Sequence, residues 1–237
     1  MKIFMMGDST MKYNNIYTYP QMGWGQVLHL FAKNNVLIED HAENGRSTKS
    51  FLEEGRFDVI LSRLNEGDFV ICCFGHNDEK INDPKRYTTP YATYTENLKY
   101  FADKVKEKGG HIVYTTPITR HKFIDGVCVN SHMDYPDAMI KFCNENGYTC
   151  IDLNKLTINL YNKLGEEESK KFHMIFPPNI HKTYIDGKDD HSHLVIEGAK
   201  MICELFVSSI KKTNDPIKEC FLDLDYNFEI DYEMLKD

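Results

Sequence analysis

No stretch of this 237-residue chain approaches the roughly 18 consecutive apolar residues of a membrane-crossing helix, so no transmembrane segment is expected. The first apolar run, Ile3 to Met6, is too short for the hydrophobic region of a secretory leader and meets Gly7-Asp8 at once. Cysteine is present but unpatterned: seven residues, an odd number, with no C-x-x-C pair. That excludes a disulfide framework and a zinc ribbon, and Cys72-Cys73 inside an apolar run reads as buried reduced thiol. A cytoplasmic protein is expected, unless a leader has been removed. Positive charge is in deficit, with 28 Lys and Arg against 36 Asp and Glu, a net charge of -8 and a pI near 5.7. Nucleic acid and anionic membrane surfaces recruit basic patches, so neither is an expected partner. A polyanionic substrate would be repelled at long range and would need local cations. Tryptophan occurs once, at Trp24. Internal repeats and low-complexity tracts are absent.

What is there is a regular alternation. Five short apolar runs read as strands: Lys2 to Met6, Val36 to Ile38, Phe69 to Phe74, Ile112 to Thr115 and Thr149 to Leu153. Continuous rather than alternating apolar residues suit parallel strands buried on both faces. Helical spacing appears over Trp24 to Lys33, Tyr94 to Lys106, Asp134 to Asn146 and His193 to Lys211. Strand-helix alternation predicts an α/β fold, three layers α/β/α around a five-stranded parallel sheet with right-handed crossovers. Such sheets bind ligands beyond the carboxyl ends of their strands. The loops after the first three strands, at Ser9, at Asn44-Gly45-Arg46 and at Gly75-His76-Asn77-Asp78, should therefore open on one edge. Residues 122–129 read as a hairpin around Asp125-Gly126, and 172–189 as a long irregular binding or mobile loop. The expected domain spans 1–212. The acidic tail, 213–237, reads either as a packed arm or as a self-association segment that would make a homo-oligomer.

Acyl transfer needs a nucleophile, a base, a group that orients the base, and donors for the oxyanion. Ser9 ends the apolar run "FMMGDST" and is a candidate nucleophile, although alone it reads equally as turn punctuation. The base candidate lies in "DDHSHL" at 189–194, where Asp190 and His193 stand three apart. In a tight turn that spacing lets the carboxylate reach the rear nitrogen of the imidazole. Two other readings stay open on this segment: Asp190 as the cap of the helix predicted to follow, and a metal site built from His191, His193 and the two Asp residues, which lacks a matching distant ligand pair. Gly45 would let backbone approach the reacting carbon, and Asn77 would donate without carrying charge.

These blocks, in this order, resemble the SGNH (GDSL-type) hydrolase superfamily and, within it, the rhamnogalacturonan acetylesterase group, carbohydrate esterase family twelve. The likeness is carried by "GDST", by "GWGQ" at 23–26 and by "ENGRSTKSFLEEGRFDVIL" at 43–61. It continues through "GDFVICCFGHNDE" at 67–79, "TTPITRHKF" at 115–123, "SHMDYPDAM" at 131–139 and "DDHSHLVIEGA" at 189–199. It implies a flavodoxin-like fold with Ser9 as nucleophile, His193 as base and Asp190 as its orienter. It also implies an oxyanion hole of Ser9, Gly45 and Asn77, a two-step acyl-enzyme route with no metal or cofactor, and an acetylated oligosaccharide as substrate. Candidate substrate contacts are Arg46, His76 and His132, with Lys49, Arg56, Arg120 and Lys122 as further cations for a uronate. Arg56 reads better as a loop brace, and Trp24 as core. Tyr135 is a further residue within reach of the site. Other SGNH esterases remain as alternatives: acetylxylan, or broad short-acyl esterase or thioesterase. A non-catalytic carbohydrate-binding homologue would have no need of the aligned Ser9, Asp190 and His193.

Overall fold

The computed structural model describes residues 1–224. In chain order the elements are β1 (Lys2–Gly7), α1 (Trp24–Val27), β2 (Leu37–Asp40), α2 (Thr48–Glu53), α3 (Arg56–Arg63), β3 (Phe69–Cys73), α4 (Thr95–Glu107), β4 (His111–Thr115), β5 (Phe123–Ile124), β6 (Val127–Cys128), α5 (Tyr135–Asn146), β7 (Cys150–Ile151), α6 (Leu153–Leu164), α7 (Glu166–Ser169), β8 (His173–Phe176), β9 (Lys188–Leu194) and α8 (Ile196–Ile210).

Five strands form one sheet in the order β2-β1-β3-β4-β7, all parallel. The order reverses direction at β1, which lies between β2 and β3. A crevice opens at such a switch point, outside the carboxyl ends of the strands. Alternate residues of each strand enter opposite layers. Ile3, Met5, Ile71, Cys73 and Val113 pack with α1, α6 and α8. Phe4, Met6, Val70, Cys72, Ile112 and Tyr114 pack with α3, α4 and α5. Burial on both faces explains why these strands carry unbroken apolar runs, and each fully buried large side chain contributes roughly 1.5–3 kcal/mol.

Several expectations are corrected. The helix expected over Trp24 to Lys33 is α-helical only to Val27 and then tightens to a 3-10 turn over Leu28–Phe31. The last strand covers only Cys150–Ile151, because Asp152 accepts the Lys155 N–H and starts α6 at Leu153. The helix expected from His193 starts at Ile196 instead. The expected irregular stretch, 172–189, is irregular only over 177–187; on either side of it β8 and β9 form an antiparallel pair with a bulge between His173 and Met174. The 122–129 hairpin is present, with Phe123 opposite Cys128. Beyond residue 212 the chain still packs on the body. Ile217, Cys220 and Phe221 are buried, and Phe221 bridges to Ala32. The remainder of the expected tail, 225–237, lies outside the described residues.

Candidate active site

The loop of the candidate nucleophile, Ser9, is set by close approach of two strands. A Cβ on Gly7 would lie 2.7 Å from the Cys73 carbonyl oxygen, so only glycine lets β1 leave the sheet beside β3 there. The chain then turns, with Met11 and Lys12 N–H both donating to the Asp8 carbonyl. The Asp8 side chain is fully buried under this turn. Its Oδ1 accepts the Thr10 N–H and hydroxyl, both at 2.9 Å. Its Oδ2 sits 3.3 Å from His76 Nδ1, an ion-pair distance without hydrogen-bond alignment. Burial alone would raise the Asp8 pKa, but His76 and the Thr10 donors outweigh it and hold the carboxyl below its usual range.

The second loop follows β2. Gly45 has φ +73°, the left-handed region that glycine enters at no steric cost. Ser47 closes it as the cap of α2, exchanging hydrogen bonds with Ser50 in a capping box, worth about 1 kcal/mol. The third loop follows β3. Gly75 has φ +152°, and a Cβ there would strike Pro117 Cγ at 2.6 Å. Asp78 ties this loop to α2 by accepting the Thr48 N–H at 3.1 Å and hydroxyl at 2.5 Å, with the Thr88 hydroxyl at 2.9 Å. Asn77 is thereby placed beside the Gly45 loop. Its Nδ2 donates to the Arg46 carbonyl at 3.1 Å, and its Oδ1 accepts from Arg86 Nη1 at 3.2 Å. Among the described residues no acceptor is bonded to the backbone N–H of Ser9 or Gly45.

The fourth segment is β9. Asp190 Oδ1 accepts the N–H groups of Ser192 at 2.9 Å and His193 at 3.0 Å, while Oδ2 lies 2.7 Å from His193 Nδ1. Asp190 therefore caps its own strand; the cap of α8 is Val195, which makes no side-chain bond. Burial would raise the Asp190 pKa, but the hydrogen bond and charge of His193, with the two backbone donors, hold it well below the usual carboxylate range. With Nδ1–H directed at Asp190, the other ring nitrogen presents its lone pair. That Nε2 lies 3.0 Å from Ser9 Oγ. Residues 184 positions apart thus form a continuous hydroxyl–imidazole–carboxylate chain.

The expected substrate contacts fare differently. The Arg46 guanidinium is spent on its own surroundings, donating to the Asn44 carbonyl at 2.7 Å and to Glu54 at 2.9 Å. Arg56 pairs with the same Glu54 at 2.7 Å, as a brace would. His76 is buried with its ring edge against His132, centroids 4.2 Å apart. His132 is wholly buried, its nitrogens 2.8 Å from the Ile118 carbonyl and 3.1 Å from Glu79. It has no exposed atom to offer a ligand, whereas a substrate contact was expected. Arg120 lies within the wall: it meets Glu79 at 2.5 Å, Ser192 Oγ at 3.1 Å and the Ser131 carbonyl at 3.1 Å, tying β9 to the loop after β3. Tyr135 is buried with its hydroxyl on the Asp78 carbonyl. Trp24 is fully buried against Phe206. Sequence reasoning missed Asp8, Glu79 and Arg86 as members of the site. Asp8 and Glu79 were visible as acidic neighbours of Ser9 and Asn77; Arg86 carried no signal. Among the described residues no three His, Cys, Asp or Glu side chains are grouped to hold a metal ion.

No protein-family model matches the chain. It is 37% identical over 220 residues to the rhamnogalacturonan acetylesterase RhgT of Bacillus subtilis, covering 92% of this chain and 93% of that protein. It is 33% identical over 220 residues to YesY, a probable rhamnogalacturonan acetylesterase of the same organism, covering 93% and 97%. Among solved structures, the YxiM protein of Bacillus subtilis matches with a TM-score of 0.74 at 24% identity, over 89% of this chain and 56% of that one. An acetylxylan esterase of Geobacillus stearothermophilus matches with a TM-score of 0.61 at 12% identity, over 88% and 93%. The two structures share the fold, and the two sequence relatives go further: the chain belongs to the rhamnogalacturonan acetylesterase family of carboxylic ester hydrolases.

Proposed function

We propose that the protein removes acetyl groups from acetylated, pectin-derived oligosaccharides, with Ser9 as nucleophile, His193 as general base and Asp190 as its orienter. The observation that carries this reading is the 3.0 Å contact of His193 Nε2 with Ser9 Oγ, backed by the 2.7 Å contact of Nδ1 with Asp190. A serine hydroxyl is a weak nucleophile until an imidazole takes its proton. Ser9 Oγ attacks the acetyl carbonyl carbon while its proton passes to His193 Nε2. The carbonyl π pair moves onto oxygen, and the N–H groups of Ser9 and Gly45 and the amide of Asn77 receive that charge. Collapse breaks the bond to the sugar oxygen, which leaves with the proton from His193. Water then attacks the acetyl-Ser9 ester, giving its proton to His193, and the second collapse returns that proton to Ser9 Oγ and frees acetate.

Fragments rather than long polymer fit the net charge of -8, since galacturonate chains are polyanions. The seven cysteines are free, six of them buried, which supports a reducing, cytoplasmic setting where imported oligosaccharides are met. The test is acetate release by wild type and Ser9→Ala from acetylated rhamnogalacturonan oligosaccharides, acetylated xylo-oligosaccharides and an aryl acetate. Release from the pectic fragments, lost in the variant, is expected. Release from the xylo-oligosaccharides or the aryl acetate alone would move the substrate elsewhere in the superfamily. No release from any would revive a binding role.

A further inference from the structure

We infer that Arg86 is a positioning residue for the oxyanion amide: its guanidinium decides which end of the Asn77 side chain faces the reacting carbonyl. The inference rests on the reading of Asn77 as an oxyanion donor. Asn77 is held at both ends of its amide, with Arg86 Nη1 3.2 Å from Oδ1 and Nδ2 3.1 Å from the Arg46 carbonyl. A flipped amide would set its NH2 against the guanidinium and its oxygen against the Arg46 carbonyl. Both contacts would then be donor-to-donor or acceptor-to-acceptor, so one orientation alone satisfies the pair. In that orientation one hydrogen of Nδ2 goes to Arg46 and the second is unspent. That second hydrogen is the one available to an oxyanion.

Arg86 is itself pinned. Its Nε lies 2.6 Å from Asp83 Oδ2. Asp83 is fixed in turn by the Lys85 N–H on Oδ1 at 3.1 Å, and its carbonyl accepts the N–H groups of Arg86 and Tyr87. A Cβ built on Gly45 would find Arg86 Nη1 as its nearest neighbour, at 3.7 Å. The guanidinium thus borders both of the donors that Ser9 does not supply. Its charge against Oδ1 also polarises the amide and strengthens the N–H bonds at the other end. Without Arg86 only the Arg46 carbonyl would hold Asn77. Part of the population would then turn Oδ1 toward the developing negative charge.

The experiment measures kcat and KM on an uncharged aryl acetate, which leaves no uronate for Arg86 to seat. The enzymes are wild type, Arg86→Met, Arg86→Lys, Asn77→Ala and the Arg86→Met/Asn77→Ala double variant. Arg86→Met is expected to lower kcat about tenfold, part of the roughly 10²–10³ that a whole donor supplies, with KM within about twofold. In the Asn77→Ala background the same change should cost less than about twofold, because its route of action is gone. Arg86→Lys should recover part of the loss. An equal loss in both backgrounds would overturn the inference, since Arg86 would then act independently of Asn77. So would an Arg86→Met enzyme at wild-type speed while Asn77→Ala is slow. If Asn77→Ala itself keeps wild-type kcat, the oxyanion assignment fails first and takes the role of Arg86 with it.

Discussion

Replacing Asp190 with asparagine tests the assigned direction of proton transfer. The carboxylate makes three bonds: Oδ1 takes the N–H groups of Ser192 and His193, and Oδ2 faces His193 Nδ1 at 2.7 Å. An asparagine has the same shape, but its carbonyl oxygen must stay on the two backbone donors. Its NH2 group then faces Nδ1. The imidazole responds by moving its hydrogen to Nε2, which points at Ser9 Oγ 3.0 Å away. A ring with hydrogen on that nitrogen cannot accept the serine proton. In the serine proteases the equivalent change lowers kcat about 10⁴-fold with the geometry intact, which at 1.36 kcal/mol per decade is about 5 kcal/mol. Here the Asp190 side chain is 22% exposed, so water can compete for Nδ1 and restore some of the productive tautomer. The expected loss is therefore roughly 10³–10⁴-fold in kcat on an aryl acetate. KM and the thermal midpoint should change little, because shape and backbone bonds persist. A loss under about tenfold would refute Asp190 as the orienting group.

The remaining predictions follow the same geometry. Asn77→Ala should lower kcat by roughly 10²–10³ with little change in KM, because its free N–H is used when charge develops; a pure KM effect in steady-state kinetics would contradict that. His173 gives the case of pH dependence. Burial, with His121 and His191 nearby, pushes its pKa from 6.5 down to about 3. Its stabilising contribution is complete above 6.5 and is lost as pH falls toward 3; at 1.36 kcal/mol per unit it amounts to at most roughly 5 kcal/mol. His173→Gln, which keeps a partner for the Tyr161 hydroxyl but cannot titrate, should flatten the denaturant midpoint against pH over that window. An unchanged slope would contradict the assignment.

Strands β1, β3 and β4 were legible because a strand covered on both faces must be apolar at every position. Once these and the shorter run at Val36 to Ile38 were placed as parallel strands, the loops after the first three strands, at Ser9, Gly45 and Asn77, fell on one edge and were legible too. β9 was not. Its sequence, Lys188-Asp189-Asp190-His191-Ser192-His193-Leu194, is polar up to the buried Leu194, since it pairs only with β8 beyond the main sheet. Its end, His193 and Leu194, read forward into the apolar periodicity of α8 as the start of that helix. The surroundings of the imidazoles were hidden for a different reason. Burial of His132 and the commitment of Arg46 and Arg120 depend on partners such as Glu54 and Glu79, which only tertiary packing selects. Arg86 lies nine residues past Asn77 in an ordinary turn, and spacing alone does not distinguish it from a solvated cation.

Two histidine–carboxylate pairs flank Ser9, and their geometry explains why His193 rather than His76 is the proposed base. His193 with Asp190 is half-open, has Nδ1 committed to the carboxylate and aims Nε2 at the hydroxyl. His76 with Asp8 is nearly closed to solvent, and no hydrogen bond joins it to Ser9 among the described residues. The Asp8 carboxylate spends Oδ1 on Thr10, inside the turn that presents the serine. Its Oδ2 lies 3.3 Å from His76 Nδ1, and no hydrogen bond joins it to Ser9 Oγ among the described residues. A general base must exchange protons with the nucleophile, the leaving group and water in turn, so it needs both contact with Ser9 and a path to solvent. His193 is 29% exposed and has both; His76 at 6% has neither. The Asp8–His76 pair instead fills the space between the nucleophile loop and the oxyanion loop. An uncompensated buried carboxylate there would cost several kcal/mol. The same residue chemistry thus braces on one side of Ser9 and, in the proposed mechanism, moves protons on the other, and access to the hydroxyl separates the two.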